Sequence, residues 1–311
     1  MATTAEVEEY SAATKALVAV AGARLATFMA TAPAPDALAD FYTELLRAAG
    51  RGAASIAADF YDDMRAKSRA RRGFKAVAAE PIPVEQARRV VAWASAPRPR
   101  LWTPPGSDSE LSTPDHGAED GIVADGLGDS AGDSIRSNAQ VNPDSLVDTP
   151  EVPDAEDAAG DTPELEEPTP EEIASRLTRS SQRLIMQPAR DTIVESVEGD
   201  PADAQWARVP QGEVTCAFCL VMASRGAVYS SRAAASQVIG RRGRTRGKRK
   251  LGDSYHDDCD CQAVPFWDDD EYPEHYDPDA LYQQYTDARD AVRSGDLKTI
   301  LAELRRQQGI H

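Results

Sequence analysis

The most distinctive chemistry in this chain of 311 residues is a cluster of thiols, because its four cysteines are Cys216, Cys219, Cys259 and Cys261. With His256 they form a Cys-x-x-Cys pair followed by a His-x-x-Cys-x-Cys group. Thiolate and imidazole groups at such spacings are the ligands of tetrahedral structural zinc sites. The pattern therefore predicts a structural zinc ion bound by these residues. Because a closed site takes four ligands and five are present, either Cys259 or Cys261 is a candidate spare.

Three other interpretations of these cysteines stay open at this point. A Cys-x-x-Cys pair also occurs in thioredoxin-type redox proteins, but a redox pair leaves the second cysteine group unexplained. Cys216 and His256 could form a protease dyad, although the sequence identifies no third group that would orient the histidine. The cysteines could also be buried and bind no metal. That interpretation does not explain why they are closely spaced in two groups, at Cys216–Cys219 and at Cys259–Cys261. We favour zinc.

Between the two cysteine groups lies Gly240–Lys250, in which seven of eleven residues are basic. Such a segment can attract nucleic-acid phosphates by charge, without reading a base sequence. It contains no aromatic residue that would stack on bases. The alternative is a solvated basic loop, or one that folds against an acidic part of the chain. The candidate nucleic-acid-binding residues are Arg241, Arg242, Arg244, Arg246, Lys248, Arg249 and Lys250.

The negative charge of the chain is concentrated in one segment. The whole chain has a net charge of −18, and Trp102–Pro170 contains eighteen acidic residues and one basic residue, Arg136. The surrounding residues 97–169 are rich in Pro, Gly and Ser and poor in large apolar side chains. A segment of this composition cannot bury enough surface to offset the entropy lost on ordering. We therefore predict a long, disordered acidic linker.

Helical periodicity dominates on both sides of this linker. Apolar stripes over Tyr10–Phe28 and Leu38–Met64 predict two long helices, and a shorter helix is predicted over Val84–Ala94. Gly50 and Gly52 in the second stripe indicate either a break or a close helix crossing.

A further helix begins after the linker. Thr169 and Glu172 match a capping box, with Pro170 at the first helical position. From about Gln205 short apolar runs alternate with turn residues, which is typical of an α+β region.

These patterns predict a mainly α protein with a small α+β zinc-binding C-terminal region and a long disordered acidic linker. The predicted domains are an N-terminal helical region (1–96), the linker (97–169), a helix with the zinc-binding region (170–267), and an acidic connector with a C-terminal helix (268–311). The N-terminus is acidic and does not resemble a secretory signal. No membrane span is predicted, and the thiols are expected to stay reduced.

Two stretches of the sequence carry a family resemblance: "ARVPQGEVTCAFCLVMASRGAVY" and "YHDDCDCQAVPFW". They resemble the Mu F-type minor capsid, or head morphogenesis, proteins of tailed phages, above all those from phages of actinobacteria that are often labelled capsid maturation proteases. The family's cysteine and histidine pattern is matched by the five candidate zinc ligands. The likeness extends to the N-terminal helices and to "RDTI" at Arg190–Ile193.

The resemblance implies a protein of the phage head that takes part in head assembly near the portal. Its expected partners are the portal protein, capsid or scaffold proteins, and packaged double-stranded DNA bound without sequence specificity; no membrane is involved. It would lie in the virion, and in the host cytoplasm during assembly. The alternative is a capsid maturation protease that cleaves scaffold or capsid subunits. Because the sequence shows no Gly-x-Ser-x-Gly elbow, no catalytic residue is assigned, and the non-enzymatic interpretation is favoured.

Overall fold

The structure is a computed structural model that describes residues 2–68, 70, 73–99, 165–212, 215–227, 238–239, 245–246, 259–267 and 271–310. Helices α1 to α7 have the bounds Thr4–Met29, Pro35–Lys67, Val84–Ala94, Pro170–Gly199, Ala217–Ala223, Pro278–Val292 and Leu297–Gln308. Strands β1 to β6 have the bounds Arg98–Pro99, Leu165–Glu166, Gln205–Val209, Val238–Ile239, Thr245–Arg246 and Gln262–Phe266. The prediction of a mainly α protein with a small α+β region is confirmed. Most of the predicted linker, residues 100–164, lies outside the described residues.

Three long helices, α1, α2 and α4, pack against one another and form most of the core. Each buries one apolar stripe, as the helical period requires. Leu25 of α1, Tyr61 of α2 and Ile185 of α4 are fully buried examples. Because α1 and α2 precede the predicted linker and α4 follows it, helices from both sides of the linker share one hydrophobic core.

The helices begin and end where local chemistry dictates. The Thr169 side chain accepts a hydrogen bond from the N–H of Glu172, and the Glu172 carboxylate accepts one from the N–H of Thr169. This confirms the predicted capping box at the start of α4. In the C-terminal tail, Arg293 adopts a left-handed conformation with φ of 50° and ends α6, so the predicted C-terminal helix is two helices.

The two glycines of α2 mark close crossings, because the helix runs without interruption from Pro35 to Lys67. A Cβ atom on Gly50 would lie 3.2 Å from Cγ of Pro188 in α4. A Cβ atom on Gly52 would lie 3.2 Å from Cδ1 of Leu17 in α1. The absent side chains let α2 approach both neighbours, at a cost in helix propensity of about 1 kcal/mol each.

The strands form short antiparallel pairs. Arg98 of β1 lies opposite Glu166 of β2, so the two ends of the predicted linker meet at one place. The longest pair joins β3 and β6 with Val209 opposite Gln262, and β6 is buried along its whole length. This pair packs on α4 and extends the core towards the cysteine residues.

The C-terminal helices α6 and α7 pack as a hairpin with a small core of their own. Tyr285, Ala288, Ile300 and Leu304 form that core together with Ala217 of α5. The hairpin therefore rests on one side of α5, the short helix that contains Cys219.

Helix α1 is long and apolar enough to cross a membrane by length and composition alone. Core helices and N-terminal signal sequences also meet this criterion. In the structure α1 packs against α2 and α4, with Val7, Tyr10 and Leu25 in the hydrophobic core.

A buried ion pair joins the end of α4 to α2. Arg65 donates from Nε to Oδ2 of Asp200 at 2.7 Å and from Nη2 to Oδ1 at 3.1 Å. The hydroxyl of Tyr61 and the indole N–H of Trp267 also donate to Oδ2, at 2.9 and 3.3 Å. Burial alone would raise the pKa of Asp200, but the hydrogen bonds from Arg65, the Ala202 N–H and Tyr61 outweigh it and lower the pKa below 3.8. The sequence analysis identified none of this cluster.

We predict that Asp200→Asn lowers the free energy of unfolding by about 3–5 kcal/mol at neutral pH, because it leaves a buried guanidinium without its carboxylate. The folded-state pKa of Asp200 is depressed, so its stabilisation is present above the ordinary value of 3.8 and is lost as the pH falls through the folded-state pKa. The difference between parent and variant should therefore shrink in acid. Urea denaturation at a series of pH values measures it.

The control is Asp40→Asn, which breaks the exposed ion pair with Arg88. That change should cost about 0–1 kcal/mol. Equal losses for the two variants would contradict a special role for the Asp200 cluster.

Candidate metal centre

The pairing of β3 with β6 brings the two cysteine groups together. In an antiparallel pair the end of one strand lies beside the start of the other. Cys216 and Cys219 follow the end of β3, and Cys259 and Cys261 directly precede β6. Two segments that are distant in the sequence therefore meet at one end of the strand pair.

Cys216 also begins α5. It is the N-cap residue, and its Sγ accepts a hydrogen bond from the N–H of Cys219 at 3.3 Å. The first turn of α5 then places Cys219 on the side that faces the second cysteine group. Such N–H···S contacts stabilise negative charge on sulfur, so the Cys-x-x-Cys turn suits a thiolate ligand.

The cysteine side chains form one cluster. The Sγ atoms of Cys219, Cys259 and Cys261 all lie within 4.8 Å of one another, and the first two are 3.3 Å apart. Cys216 packs against the same cluster. In a tetrahedral zinc site with Zn–S bonds of about 2.3 Å, the sulfur atoms are roughly 3.8 Å apart. The sulfur atoms and the distances between them therefore fit a metal ion with tetrahedral thiolate coordination.

The cluster is closed to solvent. Cys219, Cys259 and Cys261 are 1%, 2% and 0% exposed, and Cys216 is partly buried. Hydrogen bonds with the Cys216 and Cys259 side chains raise the pKa of the Cys219 thiol well above 9.0. Thiols in this environment stay protonated on their own, and binding a metal ion would displace their protons.

Asp260 lies between Cys259 and Cys261 in the sequence and packs over Gly212. Its carboxylate occupies the space that a Cβ atom on Gly212 would need. Burial, and then the nearby Cys259, raise the pKa of Asp260. Lys15 of α1 lies close by and donates from Nζ to the carbonyl oxygen of Gln211 at 2.8 Å. These contacts join the metal centre to the first helix of the core.

The structure brings together the thiols of Cys219, Cys259 and Cys261, and Cys216 packs against this cluster. His256 lies outside the described residues. Of the basic segment, Arg246 is described as part of the β5 backbone, whereas Arg241, Arg242, Arg244, Lys248, Arg249 and Lys250 lie outside the described residues.

Two residues of α4 that the sequence analysis did not assign also reach this site. Arg190 is fully buried and hydrogen-bonds the carbonyl oxygens of Cys259 and Cys261, and Gln182 donates to that of Cys259 at 3.3 Å. The available signals for Arg190 were its charge among the apolar positions of a buried helix and its place in the family-like "RDTI" stretch. They could not identify the partner.

Comparison with known proteins gives the family. A family model described as VG15 protein matches residues 1–144 and 124–288, which span most of the chain and all four cysteines. The chain belongs to the VG15 protein family. No solved structure matches it.

Two curated relatives come from mycobacteriophages. The Gene 15 protein of Mycobacterium phage D29 is 28% identical over 137 residues, which cover 39% of this chain and 50% of the relative. The Gene 15 protein of Mycobacterium phage L5 is 32% identical over 130 residues, which cover 34% of this chain and 44% of the relative. The chain thus spans about half the length of the curated relatives it matches. This is a phage-associated protein family.

We predict that protein purified under reducing conditions carries about one zinc ion per chain, because three buried thiols converge and Cys216 packs against them. Cys219→Ser should lose the metal and lower the melting temperature, whereas the neighbouring change Thr215→Ser should do neither. Elemental analysis and thermal denaturation measure both effects. Parent protein without a stoichiometric metal would contradict the prediction.

His256→Ala tests the composition of the ligand set. If the four cysteines complete the tetrahedron, this variant keeps its metal. Loss of the metal would instead place His256 in the ligand set and make one cysteine a spare.

Proposed function

We propose that this protein is a minor capsid component of a tailed phage, of the Mu F type, with a structural zinc ion that joins its two cysteine-containing segments. The observation that carries the proposal is the convergence of both halves of the Mu F-like cysteine pattern in one buried cluster. Membership in a family with mycobacteriophage relatives supports the phage assignment.

The zinc ion is proposed to be structural on the ground of its ligands. With Cys216, which packs against the three converging thiols, the set would have four ligands and leave no position for a water molecule. Catalytic zinc sites instead use three protein ligands and keep one position open. Structural zinc contributes to the folding free energy directly. At this site it would hold α5 against the start of β6.

The buried thiols also argue against a cysteine protease. A nucleophilic cysteine has to meet a peptide substrate, and reactive cysteines are partly exposed with a depressed pKa. Cys219 and Cys261 do not meet this requirement, because both are buried and the pKa of each is raised. Cys216, the cysteine of the candidate dyad, is partly buried and packs against the same cluster, where it would serve as a metal ligand. We therefore keep the non-enzymatic role as the proposal and use capsid cleavage as its test.

The proposed partners follow from this role. The protein would associate with the portal protein and with capsid or scaffold subunits in the host cytoplasm, and would remain inside the head near the portal. The basic segment Gly240–Lys250 would face packaged DNA.

The first test is head assembly. Co-expression with the cognate portal and major capsid proteins should yield particles that contain this protein, while the capsid subunit keeps its full mass. Cys219→Ser should reduce incorporation, and Thr215→Ser should not. Sedimentation and intact-mass spectrometry give the result. Capsid or scaffold subunits that are shortened when this protein is present would support the protease instead.

The second test concerns DNA. We expect weak, sequence-independent binding to duplex DNA, with log affinity falling with log salt at a slope of about −3.6 if roughly four phosphates are contacted. Changing all seven basic residues of Gly240–Lys250 to Gln should flatten this slope and leave the metal bound. Changing Arg305 and Arg306 to Gln is the control for lost charge. If the seven-residue variant binds as well as the parent at low salt, the segment has another role.

A further inference from the structure

Arg190 is the most unusual residue near the metal centre. It belongs to α4, two residues after Pro188, and its side chain is 0% exposed. A guanidinium is rarely buried to this extent without a dedicated set of acceptors, because removing its charge from water is costly.

Its acceptors belong to the Cys-x-Cys group. Nη2 donates to the carbonyl oxygen of Cys259 at 2.8 Å and to that of Cys261 at 3.0 Å. Nε donates to the same oxygen of Cys261 at 3.2 Å. One planar guanidinium thus holds the backbone of both ligand residues.

These contacts hold the backbone from which the two sulfur atoms project. In an extended chain residues i and i+2 direct their side chains to one face. The carbonyl oxygens of Cys259 and Cys261 meet one guanidinium, and their Sγ atoms meet in one cluster with that of Cys219. Fixing the two carbonyl oxygens therefore fixes the two thiols in the geometry that a shared metal ion requires.

We propose that Arg190 is a positioning residue of the metal centre, which holds the Cys-x-Cys ligands in place and offsets the negative charge of the thiolates. This inference rests on the proposed metal centre. Four thiolates around a divalent ion carry a net charge of −2, and a buried cation beside them lowers the cost of that charge. Residues that orient metal ligands commonly change metal affinity by about 10- to 100-fold when they are replaced.

The choice of arginine follows from its shape. The Nε and Nη2 donors form a rigid, planar fork, whereas lysine offers one ammonium group on a flexible stem. Gln182 contributes a single neutral donor to the Cys259 carbonyl oxygen at 3.3 Å. It is expected to support the same group more weakly.

The test measures metal binding by the full-length protein loaded with Co²⁺ in place of zinc. Cobalt bound by thiolates absorbs in the near ultraviolet, and tetrahedral cobalt gives strong bands in the visible. We expect Arg190→Met to lower the affinity for the metal by about 100-fold and Arg190→Lys, which keeps the charge, by about 10-fold. Both should weaken or shift the visible bands. Competition with a chromogenic chelator gives the affinities.

Two controls separate positioning from general stability. Arg179→Met removes an exposed arginine from the same helix and should leave both measurements unchanged. Leu46→Ala opens a cavity in the buried face of α2, away from the cysteine cluster, and should lower the melting temperature without changing the cobalt spectrum. If the Arg190→Met protein is unfolded by circular dichroism, Arg190→Lys and Gln182→Leu carry the test.

The possible results distinguish a failure of the Arg190 inference from a failure of the proposed metal centre. A parent protein that binds neither zinc nor cobalt overturns the metal centre itself. A parent that binds metal, with folded Arg190 variants that bind it equally tightly and give the same spectrum, overturns the role of Arg190 alone. A change in melting temperature that leaves affinity and spectrum unaltered also overturns it.

Discussion

The antiparallel pairing of β3 with β6 is the constraint on which the rest of this structure depends. It sets Val209 opposite Gln262, and so places the residues that follow β3 beside those that precede β6. Without this register the two cysteine groups would have no reason to meet. The pair is short, but because it is buried against α4, a one-residue slip would exchange the side chains that face α4 for those of the opposite face. The register of the pair and the packing of the core therefore support each other.

Local sequence predicted the features of this fold that local chemistry decides. The capping box at Thr169 and the apolar stripe of Val84–Ala94 were sufficient to predict where α4 and α3 begin, because both signals act within one or two helical turns. The spacing within each cysteine group predicted a local pair of ligands for the same reason, whereas the meeting of the two groups depends on the pairing of β3 with β6. Cys216 and Cys219 are brought together by the first turn of α5. Cys259 and Cys261 are two positions apart, so their side chains can face the same way.

Contacts between distant residues were beyond the reach of the sequence. Arg65 and Asp200 are 135 positions apart, and neither belongs to a recognisable motif. Arg190 lies in the "RDTI" stretch of the family likeness, but its hydrogen-bond partners become clear only when α4 is packed against the start of β6. The glycines of α2 were ambiguous because Gly50 makes sense only when Pro188 of α4 lies against it. In each case the physical reason for the residue is a partner that only the tertiary structure supplies.

Helix α5 shows how a metal ion at the candidate centre would influence more than its own ligands. With the bounds Ala217–Ala223 it is too short to be stable by itself, since isolated helices of fewer than about 12 residues are marginal in water. One side of α5 contributes Cys219 to the thiol cluster, and the other contributes Ala217 to the core of the α6–α7 hairpin. Its C-terminal end is held by Tyr276, whose hydroxyl donates to the carbonyl oxygen of Ala223 at 2.6 Å. A metal ion that fixed α5 would therefore also fix the surface on which the C-terminal hairpin rests.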